Sequence, residues 1–232
     1  WTMGKCREIE DVLKRHIAIM DKYDPQKQIG LMVDEWGTWW DEEPGTIKGH
    51  LYQQNTLRDA FVASMTLDVF HRYTDRIKMT NIAQVVNVLQ SMILTKDDKM
   101  VLTPTYHVFE MYNVHQDATY LPVDLKCERK IVRDDRIVPV VSATVSRNKD
   151  GVVHVSMSNI DLKEEQEVTL DLGGIKAKSV TGRILTSKNV TDYNSFEHPD
   201  VVVPVEFKGA KLTKDGLKIT LPAKSIITLE LK

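Results

Sequence analysis

The sequence predicts an α/β segment followed by an all-β sandwich, and three observations predict it. From residue 1 to about 120, helix-like and strand-like stretches alternate in the order helix, strand, helix, strand, helix, which is the rhythm of a parallel α/β fold. From about Leu121 onward, short stretches with two-residue alternation take over, separated by Gly-containing turns, and no helical period is found. Between them, Pro122 marks a boundary near Ala118 to Val123, dividing the chain into units 1–120 and 121–232.

The elements follow in order. Ile9, Leu13, Ile17 and Met20 recur at helical spacing, with Glu8, Asp11, Lys14 and Arg15 largely opposite them, until Asp24-Pro25 breaks the pattern. Ile29 to Glu35 is an apolar strand, expected to be buried on both faces as parallel strands covered by helices are. A polar loop through Glu42, Glu43, Pro44, Gly45 and Gly49 leads to a long helix from about Leu51 to Tyr73, with Leu57, Phe61, Met65 and Val69 four apart. Ile77 to Gln84 is the second strand. A last helix opens at Thr103-Pro104, a capping hydroxyl followed by a proline whose missing N–H costs nothing in the first turn, and runs to about His115.

In the second unit, strands are predicted at Val138–Val145, Val152–Met157, Val168–Leu172, Val180–Leu185, Leu217–Leu221 and Ile226–Leu231. Lys149-Asp150-Gly151, Gly173-Gly174 and Lys214-Asp215-Gly216 supply turns. Pro139, Pro199, Pro204 and Pro222 suit strand edges and connections. The pattern fits a sandwich of roughly 100 residues.

A formal charge of −2 favours neither nucleic acid nor an anionic membrane as partner. No apolar run approaches the roughly 18 residues that span a bilayer, and no signal-like segment precedes the first helix. Because the chain opens on Trp1 rather than Met, a targeting peptide would lie outside it. Cys6 and Cys127 follow no metal or redox spacing and are expected as free, partly buried thiols.

The chemistry concentrates at Val33-Asp34-Glu35-Trp36-Gly37-Thr38-Trp39-Trp40. A carboxylate at the end of a buried strand pays desolvation unless it is used or paired, and α/β barrels place catalytic groups at such strand ends. Glu35 is therefore the candidate carboxylate, against the alternative of a rim glutamate paired with an arginine. Asp34 is expected on the opposite face, making structural contacts. Two of the three tryptophans are expected in the core, and Trp39, four residues beyond Glu35, is the ring best placed to face a sugar. Asn81 and Gln84, near the end of the second strand, are amides whose partner is either a sugar hydroxyl or the backbone. His107, Glu110 and His115 share a helix without the spacing of a zinc helix and are expected to be solvated or capping. His50, His71, His154 and His198 are isolated in the sequence.

These residues resemble a family, the α-L-arabinofuranosidases of glycoside hydrolase family 51. The resemblance rests on Val33 to Trp39, on Leu51-Tyr52-Gln53-Gln54-Asn55-Thr56-Leu57-Arg58-Asp59-Ala60, on Asn81 to Leu89 and on Thr103 to Phe109. It implies the C-terminal units of a (β/α)8 TIM barrel followed by an antiparallel, jelly-roll-like β-sandwich. The strands ending at Glu35 and Gln84 would be the seventh and eighth of the barrel. It implies a retaining exo-hydrolase that releases terminal arabinofuranosyl groups from arabinan or arabinoxylan. Glu35 would be the nucleophile, Trp39 and Gln84 substrate-binding residues, and no cofactor would be needed. The implied partners are an arabinose-containing oligo- or polysaccharide, the remaining N-terminal part of the barrel, and further copies in a homo-oligomer.

The family's acid/base is a glutamate following an asparagine at the end of the fourth strand, and everything before Ile29 here reads as one helix. A barrel needs roughly 250 residues, and about 120 are available. The chain on its own is thus expected to be inactive. Three readings stay open on the sequence alone: the nucleophile half of an arabinofuranosidase, a non-catalytic fragment or binding module, and a related barrel glycosidase acting on another sugar.

Overall fold

The computed structural model describes residues 1–232. Helix α1 spans Thr2–Tyr23 and buries Gly4, Leu13 and Ile17. Asp24 ends it: its carboxylate accepts from the Ile29 and Gln28 N–H groups and from Arg76, and these bonds, the Ile29 one foremost, hold it below the usual carboxylate range. Arg76 is fully buried and also binds Asp21 and the carbonyls of Asp24 and Ile29, which fixes the turn into the first strand.

Strand β1, Leu31–Trp36, pairs in parallel with β2, Ile77–Ile82. Helix α2, Leu57–His71, lies between them in sequence, and α3, Pro104–Tyr112, continues in a 3-10 turn, Asn113–His115. The hairpin β3 (Ile93–Lys96) and β4 (Lys99–Leu102), turning at Asp97 with φ 53°, is not anticipated from the sequence.

The expected long helix begins at Leu57 rather than near Leu51. Thr56 caps it by accepting from the Arg58 N–H at 3.2 Å while Asp59 accepts from the Thr56 N–H at 2.8 Å, a capping box. Gln53 and Asn55 spend their side chains on other loops, so Leu51 to Asn55 stay outside the helix, with Leu51 itself turned at φ 54°. Helix α2 is buried around almost its whole circumference, packed by α1, α3 and the second unit.

Strand β1 also departs from expectation. Leu31, Val33 and Trp36 lean onto the helices, while Met32, Asp34 and Glu35 are exposed. With only β2 beside it, the strand has one covered face. The expected (β/α)8 barrel is not seen in this chain: its first unit holds one open pair of parallel strands, with the helices packed beside it, and no closed ring.

The second unit is a sandwich. Strands β5 (Thr119–Tyr120), β8 (Val141–Arg147), β9 (Val153–Asn159), β11 (Val180–Thr186), β12 (Val205–Glu206) and β15 (Ser225–Leu231) form a sheet in the order β12-β11-β15-β9-β8-β5, so Thr119 and Tyr120, assigned to the first unit by sequence, pair with the sandwich. Strands β10 (Gln166–Leu170), β13 (Ala210–Thr213) and β14 (Gly216–Leu221) form a second, in the order β10-β14-β13. A hairpin of β6 (Lys130–Arg133) and β7 (Arg136–Pro139) packs against α1. All pairings here are antiparallel, and no helix occurs beyond His115; five of the six predicted strands are present, while the sixth, Val138–Val145, is broken at Val140 and divided between β7 and β8, which lie in different sheets. One apolar core runs from Leu13 through α2 and both sheets to Leu231. Cys6 and Cys127 are free and partly buried, as expected.

Candidate active site

The end of β1 is irregular. Val33 pairs with Thr80 and Trp36 with Ile82, so two residues, Asp34 and Glu35, stand opposite the single residue Asn81. This is the count of a β-bulge, which re-aims side chains and is common beside active sites. Asp34 was expected to point away from Glu35, but the extra residue breaks the alternation and both carboxylates are exposed. Neither forms an ion pair or hydrogen bond with the chain, so Glu35 is not the arginine-paired rim residue of the alternative reading.

Beyond the bulge, the Ala83 N–H donates to the Trp36 carbonyl at 2.8 Å. Glu35 precedes one end of that bond and Gln84 follows the other, which brings the two predicted site residues to the same end of the strand pair. The Ala83–Gln84 peptide is cis. Asn81 and Gln84 are both exposed and their side chains bond nothing within the chain, so neither is the backbone-bonding amide that the sequence left open.

Of the three tryptophans one, not the expected two, enters the core. Trp36 is buried, its ring 5.3 Å from Phe70 edge-on and 6.0 Å from Phe109 in a stack. Trp40 is half-buried under the Arg58 guanidinium, 4.3 Å from the ring. Trp39 is 65% exposed.

The buried amides are elsewhere, and they hold this rim. Asp59, fully buried, accepts from Thr38 Oγ1 (3.1 Å), Trp40 Nε1 (3.0 Å), Thr56 N (2.8 Å), Thr56 Oγ1 (3.1 Å) and Arg58 Nη2 (3.2 Å). Gln53 accepts from the Trp40 N–H at 2.8 Å and donates to Thr38 Oγ1 at 2.9 Å. Gln90 accepts from the Thr38 N–H at 2.8 Å and donates to the Asp59 carbonyl (2.7 Å) and Thr105 Oγ1 (3.1 Å). Its own N–H donates to the Ala83 carbonyl at 3.0 Å, so one residue ties both rim loops together. Gly37 at φ 134° lets the backbone pass, since a Cβ there would come within 3.2 Å of Gln90 Oε1. Farther along the loop, Glu42 accepts from the Gly49 and Leu51 N–H groups and Glu43 from the Gln54 N–H, so these acids are loop clamps. Gln53, Asn55 and Asp59 sit in the Leu51–Ala60 motif, which reads as helix by its apolar spacing. The signals that mark them are the run of polar residues ahead of the Thr56 cap for Gln53 and Asn55, and the capping-box spacing from Thr56 for Asp59.

His115 is neither solvated nor capping, and His71 and His154 are not isolated, whereas His50 and His198 are exposed and stand apart as expected. His115 is buried between Ser146 Oγ (2.7 Å) and Ser156 Oγ (2.8 Å), and its ring lies 5.1 Å from His71 and 6.5 Å from His154. His107 is buried as well. The sandwich brings His71, His115 and His154 together from positions far apart in sequence, on the side of α2 that faces β8 and β9, while His107 lies outside this cluster.

Residues 34–225 match the family model described as the alpha-L-arabinofuranosidase C-terminal domain. The chain is 70% identical over 232 residues to an intracellular exo-alpha-L-arabinofuranosidase of Bacteroides ovatus, spanning 100% of this chain and 45% of that protein. It is similar to the crystal structure of the GH51 arabinofuranosidase from Xanthomonas axonopodis pv. citri, with a TM-score of 0.93 and 46% identity over 97% of this chain and 45% of that one. It shares its fold with an alpha-L-arabinofuranosidase from Thermotoga maritima solved as an arabinose complex, at a TM-score of 0.82 and 23% identity, over 99% of this chain and 48% of that one. The chain spans just under half the length of these relatives.

Proposed function

We infer that this chain, which belongs to the α-L-arabinofuranosidase C-terminal domain family, carries the nucleophile half of a retaining, exo-acting α-L-arabinofuranosidase site. The observation that carries the reading is Glu35: an exposed, unpaired carboxylate re-aimed by a bulge at the C-terminal end of a parallel strand, with Trp39 and Gln84 at the same end. A carboxylate free of internal partners is available to attack.

In this reading β1 and β2 are the seventh and eighth strands of a (β/α)8 barrel, residues 1–120 are its last units, and residues 121–232 are the following sandwich domain. Glu35 attacks the anomeric carbon of a terminal arabinofuranosyl group in arabinan or arabinoxylan. The glycosidic C–O bond breaks as a carboxylic acid from the N-terminal part of the barrel protonates the leaving oxygen, giving a covalent arabinosyl ester. That same group, now a carboxylate, takes a proton from water as the water attacks, freeing Glu35 and releasing arabinose with retained configuration. Trp39 packs on the sugar and Gln84 hydrogen-bonds a hydroxyl. The whole enzyme forms a homo-oligomer.

The test is hydrolysis of an aryl α-L-arabinofuranoside by the full-length protein. Glu35→Gln is expected to lower kcat by roughly three orders of magnitude or more, and this chain alone to be inactive until the N-terminal part is supplied. Activity surviving Glu35→Gln removes the nucleophile assignment, and an active isolated chain removes the claim of a half site. Light scattering after size exclusion checks the assembly; a monomer at working concentration counts against it.

A further inference from the structure

We propose that Thr38, Gln53, Asp59 and Gln90 are positioning residues that fix the plane of Trp39, an inference that rests on the sugar-facing assignment of that ring. Trp39 itself bonds nothing and is exposed, yet the residues on either side of it are pinned by directional contacts. Thr38 uses its N–H, hydroxyl and carbonyl on Gln90, Asp59 and Gln53. Trp40 uses its N–H on Gln53 and its indole N–H on Asp59, with Arg58 stacked on the ring. Thr38, Gln53, Asp59 and Gln90 are all buried.

Holding a surface loop by apolar contacts would be cheaper than burying a carboxylate and two amides beneath it. What a satisfied buried polar network adds is a single, rigid conformation. A ring that stacks on a sugar needs that, because binding groups must be held within about 0.5 Å and 10–20° of the productive pose. Gln90 extends the control to the opposite wall, since the residue that takes the Thr38 N–H also anchors its backbone on Ala83, next to Gln84. The network thus sets the spacing between the two residues assigned to sugar binding and touches Glu35 nowhere.

The position of the network predicts a loss in binding rather than in bond cleavage. In the full-length protein, Thr38→Val keeps the side chain's shape and removes its hydroxyl. KM for an aryl α-L-arabinofuranoside is expected to rise about five- to tenfold, the worth of about one hydrogen bond, with kcat within about twofold. Thr38→Ser, which restores the hydroxyl, is expected to return KM to within about twofold of wild type. Should Thr38→Val fold poorly by its thermal midpoint, Asp59→Asn, which gives up one acceptor, is expected to show the same split. A loss confined to kcat, or Thr38→Ser as impaired as Thr38→Val, overturns the proposal. Glu35→Gln, run in parallel, keeps the two ideas apart. If that variant is inactive while Thr38→Val matches wild type, only the positioning role falls; if it is active, the reading of the site falls and takes the positioning role with it.

Discussion

Trp36 and Trp39 are three residues apart and do opposite things. Trp36 closes the end of β1 against Phe70 and Phe109 and is only 7% exposed, so truncating it leaves a large void between two aromatic rings. Trp36→Ala is expected to cost about 3–5 kcal/mol of stability, measured by urea unfolding of the full-length protein. Trp39→Ala gives up no buried contact, and its unfolding midpoint is expected to match wild type while KM rises. A marked loss of stability in the second variant would mean that Trp39 packs against something in the intact protein rather than waiting for a ligand. That these tryptophans divide between core and rim was legible in the sequence, because they follow an apolar strand directly. The bulge was not. Two acids in succession look like simple alternation, and only the pairing of Val33 with Thr80 and Trp36 with Ile82 exposes the extra residue.

At the scale of elements, the contact of α2 with the sandwich is the least expected feature. On β8, Val141, Ala143 and Val145 alternate with Ser142, Thr144 and Ser146, which reads as one buried and one wet face. Both faces are buried. Ser142 donates to Asp68 at 2.5 Å, Thr144 bonds His71, Ser146 bonds His115, and on β9 Ser158 bonds Ser64. The alternation is right about which face is polar but carries no information about what covers it, since α2 and the turn after α3 arrive from another part of the chain. This polar junction gives the protein a pH dependence of two signs. Burial pushes the Asp68 carboxyl up to about 7, against the Ser142 and Tyr112 hydrogen bonds that favour its ionised form. A folded-state pKa above the unfolded value means that folding favours the protonated acid, so this contribution is present below about pH 4 and is lost as pH rises toward 7. Burial pushes His71 down to about 4 and His115 to about 3, so these stabilise the fold as neutral rings above about pH 6.5 and lose that contribution as pH falls toward their folded values. Asp68→Asn removes the first term and keeps the second. Its stability relative to wild type is expected to rise between pH 4 and 8, by an amount on the order of 3 kcal/mol at the upper end. Thermal midpoints across that range decide it, and a gap that stays constant with pH would show that Asp68 is not charged by ionisation there.

For the whole molecule, the order of elements and the sandwich were legible because strand alternation and Gly turns are local signals, whereas the polar junction of α2 with the sandwich joins residues up to 94 positions apart, as in the Ser64–Ser158 bond. The exposed face of the β1–β2 pair belongs to the same scale. Met32 and Met79, register partners on adjacent strands, are 50% and 45% exposed, and the outer edges of both strands are unpaired. Apolar side chains beside open strand edges promote pairing with other chains. In the proposed barrel, the same methionines point into its packed interior and the edges are closed by neighbouring strands. One substitution therefore has opposite consequences in two settings. Met32→Lys is expected to reduce self-association of the 232-residue chain, seen as a larger monomer fraction by light scattering. In the full-length protein the same lysine would be buried without a partner, and is expected to cost several kcal/mol and most of the activity. If the lysine is tolerated in the full-length protein, β1 faces solvent there too, and the strand pair is not part of a closed barrel.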